Sequence, residues 1–208
     1  FNADLQIAAY IPESIGYQIL SFTIGFGILT RVSIFRIKSG QTVCSGYKEE
    51  KVKEALEGME KITYCYNPFF DVTNSLASLW FAREEMDDDL IIMNADVFFT
   101  EEILTALLKD KRSPVMAIDR SRVQEGDYFF KTAWNGRIEK YGKGLPIELR
   151  SCEYVGMAKV EKSFLPLFKK RMEEMIRSQQ HSAWWENVLY SFTDQKEQDI
   201  YTVDVDGK

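Results

Sequence analysis

Residues 90–96, Leu-Ile-Ile-Met-Asn-Ala-Asp, restrict the fold more than any other stretch of the chain. This is a continuous apolar run of the kind shown by a strand buried on both faces of a parallel sheet. The sequence around it supplies matching pieces. "TVCSGY" (42–47), "KITYCYN" (61–67) and "PVMAID" (114–119) read as further strands. Between them, "KEEKVKEALEGM" (48–59) carries Val52, Ala55 and Leu56 on one side and Gly58 near its end, which marks a helix and its stop. Asn74 to Met86 places Leu76, Leu79, Trp80 and Arg83 at helical spacing, and residues 100–110 return to helix after the acidic turn at Asp87 to Asp89. The series β-α-β-α-β predicts an α/β fold with a mostly parallel sheet.

The first forty residues are read from composition as much as from pattern. "LQIAAY" (5–10) is expected to be a buried strand, and residues 16–37, largely apolar, to be mainly helix. Ser14 to Thr30 holds no charged side chain, but with Gly16, Gln18, Gly25 and Gly27 it falls short of a membrane span and is expected to be core. At 208 residues, with no repeat or linker-like tract, the chain is expected to be one domain over 1–208.

The hydrophobic fraction of 45% and charged fraction of 28% exclude disordered and collagen-like classes. A formal net charge of -6 argues against a general nucleic-acid binder, so phosphate chemistry would depend on a few placed cations. Cys44, Cys65 and Cys152 have no metal-ligand spacing and are odd in number, so reduced thiols and a cytoplasmic location are expected. The single His181 leaves no room for His-rich zinc chemistry and reads as a surface or satisfied polar residue.

Ligands of open α/β sheets bind beyond the carboxyl ends of the strands. Four strands here end in a polar or turn residue: Gly46, Asn67, Asp96 and Asp119. A carboxylate at the end of a buried strand, as at Asp96, needs a cation, a donor or water. It either holds a divalent metal, as one protein carboxylate beside substrate phosphates, or caps the helix that starts near Thr100. "NPFFDVTNSLASLW" (67–80) poses a similar choice. Its join is either an anion site at a helix start or ordinary capping by Asp71, Thr73 or Asn74.

Five blocks in order, "SGYKEEKV", "NPFFDVTNSLASLWFAREEM", "DLIIMNADVFF", "AIDRSRV…DYFFKTAWNGRIEKYGKGL" and "CEYVGMAKV", resemble the nucleotidyltransferase superfamily that activates sugar phosphates. The Thr-Asn-x-x-x-Ser-Leu core looks most like its cytidylyltransferases for phosphocholine or 2-aminoethylphosphonate. The match covers roughly residues 42–160. It implies a Rossmann-like three-layer sandwich with a mostly parallel mixed sheet, of the nucleotide-diphospho-sugar transferase type. It also implies transfer of a nucleoside monophosphate from a triphosphate, CTP favoured, to a small amine-bearing phosphate or phosphonate with release of pyrophosphate. Attack by a phosphate oxygen needs no general base and is helped by positioning and charge neutralisation.

The resemblance assigns roles residue by residue. Asp96 would hold Mg²⁺. Gly46 and Tyr47 would lie near the base, with Asn74 and Ser75 at the helix start beside base or ribose. Lys131 and Lys143 resemble the phosphate-facing and acceptor-side lysines. Glu153 and Gly156 match the turn that closes on the acceptor. From the residues themselves, Trp184 and Trp185 beside Glu186, joined by Tyr154, either offer an aromatic wall and a carboxylate to a cationic head group or pack a C-terminal helix onto the sheet and line a surface groove. Trp184, Trp185 and Glu186 are consecutive, so at most two are expected in the cleft, with one tryptophan packed inward.

Two departures from the family stand out. "LQIAAY" is followed directly by "IPES", with no Gly-rich triphosphate loop or Pro-Lys and with Glu13 where a cation is expected; that loop is expected between Tyr10 and Ile11 in the full molecule. Asp204 and Asp206 are either substitutes for a second metal ligand or members of an ordinary edge strand. Other classes compatible with the sequence are a sugar-1-phosphate nucleotidyltransferase, a non-catalytic nucleotide-binding module on this fold, and a metal-dependent glycosyltransferase. No nucleic-acid or membrane partner is expected, and a homodimer is allowed.

Overall fold

The computed structural model describes residues 30–36, 40–97 and 99–206. The expectations for "LQIAAY", for the loop after Tyr10 and for most of residues 16–37 lie outside them. In chain order the elements are β1 (Thr30–Arg36), β2 (Gly40–Ser45), α1 (Glu49–Ala55), β3 (Ile62–Tyr66), α2 (Ser75–Phe81), β4 (Leu90–Asn94), α3 (Glu101–Lys109) and β5 (Val115–Asp119). There follow β6 (Phe129–Thr132), β7 (Ile138–Gly142), β8 (Cys152–Val160), α4 (Leu165–Arg177), α5 (Asn187–Gln195) and β9 (Tyr201–Asp204). Each element expected between residues 42 and 119 is present, with ends shifted by a few residues. One correction concerns Thr30–Arg36, which is a strand where the helix over 16–37 was expected. Its β-branched alternation, Val32 and Ile34 against Ser33, matches the pleat better than a helical face.

The main sheet has the order β3-β2-β1-β4-β8-β5-β9. β2 pairs in parallel with β3, and β5 with β9, whereas β1 runs antiparallel to β2 and β4, and β8 antiparallel to β4 and β5. Strands β2, β3, β4, β5 and β9 therefore point one way, and their carboxyl ends share one edge. The β6–β7 hairpin adds on through Phe129 and Phe130, which pair with the first residues of β8.

The alternation within β4 builds three layers. Leu90 and Ile92 join Leu76, Leu79, Phe168, Trp185 and Tyr190 in a core that includes α2, α4 and α5. Ile91 and Met93 pack against Leu104 and Leu107 of α3 on the other face. Val43 does the same with Val52 of α1 and with Leu56, the residue that follows it. A strand covered on both faces has no polar face to show, which is why 90–93 is apolar without interruption.

One irregularity places the site. The β5–β8 register shifts between Met116 and Ile118, and Gly156 opposite that step has φ +83. A Cβ there would sit 2.5 Å from Val97 Cγ2. Only glycine lets β8 bend this closely past the end of β4. The segment expected as a turn at "CEYVG" is thus strand interior with a bulge, since both halves of it have neighbours to pair with.

Candidate functional site

The carboxyl edge is organised by Asn94, the last residue of β4. Its Nδ2 donates to Glu186 Oε1 at 2.8 Å, and its Oδ1 accepts from Trp185 Nε1 at 2.7 Å. Trp185 is fully buried and Glu186 is 4% exposed. Burial pushes the Glu186 carboxyl up to about 7, opposed by its own backbone N–H and the Asn94 amide and reinforced by the Asp96 charge. Next to it lies Tyr154, whose buried hydroxyl interacts with the Glu186 carboxyl. Burial, then the Glu186 charge, holds that phenol well above its ordinary range.

Asp96 follows two residues after the strand and is exposed. Thr100, at the start of α3, makes no side-chain cap. The exposed Asp96 carboxylate is the kind of oxygen donor that a hard cation such as magnesium takes, one or two at a time with phosphate oxygens. Among the described residues no group of three or more His, Cys, Asp or Glu side chains is gathered for a metal. Asp204 sits on the edge strand β9 and pairs with Arg120 at 3.2 Å.

The 67–80 join is settled by its own hydrogen bonds. Asn74 is the N-cap of α2 and accepts from Ser75 N. Asn67, fully buried, donates to Thr73 Oγ1 and Ser78 Oγ and accepts from Phe69 N, which closes the turn. The backbone N–H groups of Asn74 and Leu76 donate to the carbonyls of His181 and Ala183, and Trp185 N donates to Ser75 Oγ. The helix start is therefore filled by segment 181–185, and capping is the reading that holds. Its consequence is structural: α2 fixes the residues that carry Trp185 and Glu186 to Asn94.

Trp184, Trp185 and Glu186 do separate as the spacing expected, though they form a turn ahead of α5 instead of lying within it. Trp184 is on the surface at 39% exposure, its ring edge-on to Tyr128 at 5.8 Å and under Lys143 Nζ at 5.2 Å. Tyr128 and Tyr141 both stack on Tyr190, at 5.5 and 4.3 Å. These tyrosines and Asn94 were not singled out from sequence. Asn94 had a visible signal, being the one polar residue inside the β4 run, whereas the tyrosines come from three distant segments.

The remaining residues scatter. Gly46 is buried, and a Cβ there would meet Phe70 Cβ at 2.5 Å, while Tyr47 is exposed and tilted against Phe70. Lys131 is paired with Glu139 at 3.2 Å on the hairpin. Glu153 is turned away from Tyr154: its oxygens take Asp127 N at 2.8 Å and Arg122 Nε at 2.8 Å, holding the 120–127 loop. Lys143, Trp184, Tyr154, Gly156, Glu186 and Asp96 are thus the part of the expected set that surrounds Asn94 and the tyrosine stack.

No family model matches the chain, and neither does any curated protein. Solved structures do. The CTP:phosphocholine cytidylyltransferase of Streptococcus pneumoniae superposes with a TM-score of 0.55 at 12% identity, over 76% of this chain and 66% of that one. The inositol-1-phosphate CTP transferase of T. maritima gives 0.61 at 14%, over 78% and 64%. A UDP-glucose pyrophosphorylase in complex with UDP-glucose gives 0.55 at 12%, over 78% and 72%. The chain spans just under two thirds of the length of the first two. At this identity the likeness is one of fold, and the fold is the Rossmann-like α/β arrangement of these nucleotidyltransferases.

Proposed function

We propose that this chain is a nucleotidyltransferase that moves CMP from CTP to a small amine-bearing phosphate or phosphonate, releasing pyrophosphate. The observation that carries this reading is the division of labour at the carboxyl edge. Asp96 is exposed, while a second carboxylate, Glu186, is buried, held by Asn94 and bordered by Tyr154. One acid suits a metal and the phosphates; the other suits a cationic group. The sugar-1-phosphate alternative supplies no cation for Glu186.

Asp96 would hold Mg²⁺, which supplies charge neutralisation for the triphosphate when bound. The acceptor phosphate oxygen attacks the α-phosphorus in line, and pyrophosphate leaves with the bridging oxygen's electron pair. Lys143, poised at the Trp184 ring, would meet the acceptor phosphate, and Lys131 would serve the triphosphate after leaving Glu139. Exposed Tyr47 would border the base, while Gly46, Asn74 and Ser75 would act from behind by shaping the two loops beside it. Glu153 would act by holding the 120–127 loop, and Gly156 by letting β8 approach Val97. Trp184, Tyr154 and Glu186 would bind the acceptor's amine end.

Pyrophosphate release from the full-length chain with CTP, Mg²⁺ and phosphoethanolamine tests the reading. The expected result is release that needs all three. Nucleotide binding without pyrophosphate release, for any acceptor supplied, would replace it with the non-catalytic binding module.

A further inference from the structure

We propose that Cys44 and Cys65 form a redox-sensitive pair, whose closure into a disulfide pins the outermost strand β3 to β2.

The sheet itself brings the two thiols together. Strands β2 and β3 run parallel with Cys44 opposite Cys65, and directly opposed residues of neighbouring strands share a face. Packing agrees. Cys44 lies in the core with Leu76 and Leu79 of α2, and Cys65 packs against that same cluster, whereas Val43 and Tyr64 lie on the other face with Val52 of α1. Neighbouring strands are about 4.8 Å apart, inside the Cα separation of about 4.4–6.8 Å that a disulfide spans. Backbone bonds fix the register on either side of the pair: Asn67 N donates to Ser45 O at 2.9 Å, and Gln41 N to Lys61 O at 3.0 Å. Both cysteines are reduced in this structure.

The two thiols are unequal, which sets the order of reaction. Cys44 is 1% exposed, and burial holds its thiol well above the ordinary range, with a charge on Cys65 raising it further. Cys65 is only partly buried and sits on β3, at the end of the sheet. An oxidant from solution therefore meets Cys65 first. With a small-molecule disulfide RSSR, the Cys65 thiolate attacks one sulfur, and RS⁻ leaves with the electron pair of the broken S–S bond. Cys44 then gives up its proton and its sulfur attacks Cys65 Sγ, expelling the second RS⁻. The protein dithiol is oxidised by two electrons, and RSSR is reduced to two RSH. The new bond closes a covalent ring through α1 and ties down β3, which pairs with β2 alone among the described strands. A strand held from one side opens locally more readily than a central one, and a cross-link opposes that opening.

The test treats the native full-length chain with oxidised glutathione and maps its cysteines by mass spectrometry. The expected product is one Cys44–Cys65 bond within the chain, with fully buried Cys152 still reduced. Cys44→Ala is expected to stop at one glutathione on Cys65, and Cys65→Ala to take none. Amide exchange over Ile62–Tyr66 is expected to slow by about tenfold or more in the oxidised chain and to recover on reduction. Mapping of the parent chain decides the pairing even where a variant folds poorly. Absence of the bond, a bond to Cys152 or between two chains, glutathione retained on Cys65 of the parent, or glutathione on Cys44 in Cys65→Ala would overturn the pairing. Unchanged amide exchange in the oxidised chain would overturn the pinning of β3.

Discussion

Asn94 and Glu186 are 92 residues apart in sequence and joined by a 2.8 Å hydrogen bond at the carboxyl edge of the sheet. The same Asn94 amide accepts from the Trp185 indole, so one side chain ties the end of β4 to the segment ahead of α5. Asn94→Ala strands an indole N–H and a carboxylate oxygen in the interior. Each unsatisfied group costs about 1–3 kcal/mol, so the variant is expected to lose about 2–4 kcal/mol by urea denaturation. A loss near zero would mean that water replaces the amide and that Asn94 does not organise the site.

Glu186 makes stability depend on pH. Its folded pKa of about 7 lies above the ordinary 4.5, so the native state holds the proton more tightly than the unfolded chain does. Its contribution is full below pH 4.5 and is lost as pH rises through 7. A shift of this size corresponds to roughly 3 kcal/mol between those limits. Glu186→Gln should remove that part of the slope. Parallel stability curves for variant and parent between pH 5 and 7.5 would show that Glu186 is not the titrating group.

Much of this architecture was readable from sequence, and the exceptions share a cause. The runs at 42–47, 61–67, 90–94 and 114–119 state their own strand character, because a strand buried on both faces must be apolar throughout. Thr30–Arg36 failed because its apolar content satisfied two periodicities, and only pairing with β2 and β4 decides between them. Asp96 was legible from its place at a strand end, and Glu186 from its place beside Trp184 and Trp185. Their link through Asn94 was not, since it depends on α2 accepting the 181–185 backbone at its start. Glu153 was expected in a turn by the resemblance, but it lies within a strand, where adjacent residues point to opposite faces, and its carboxylate goes to Arg122.

Gly156 should tolerate no side chain. Alanine there takes a left-handed backbone angle and puts its Cβ 2.5 Å from Val97 Cγ2. Backbone and steric costs together are expected to reach about 2–4 kcal/mol. Adding Val97→Ala should recover the steric share and leave the backbone share. Full recovery in the double variant would show that φ at this position is free to change and that the bulge is not imposed by glycine.

Asp96→Asn tests the metal side of the site with little risk to the fold. The side chain is exposed and makes no cavity when altered, so melting should change by less than about 0.5 kcal/mol. Removing the charge takes away the one carboxylate proposed for Mg²⁺ while Glu186 keeps its place. Turnover is expected to fall by at least about a hundredfold, with the apparent need for Mg²⁺ rising. The Glu186 carboxyl, relieved of a neighbouring negative charge, should also titrate at lower pH. Titration of Glu186 that moves as expected with an unchanged rate would place Asp96 beside the acceptor subsite but outside the chemistry. An unchanged titration would mean that the two carboxylates do not share one cleft.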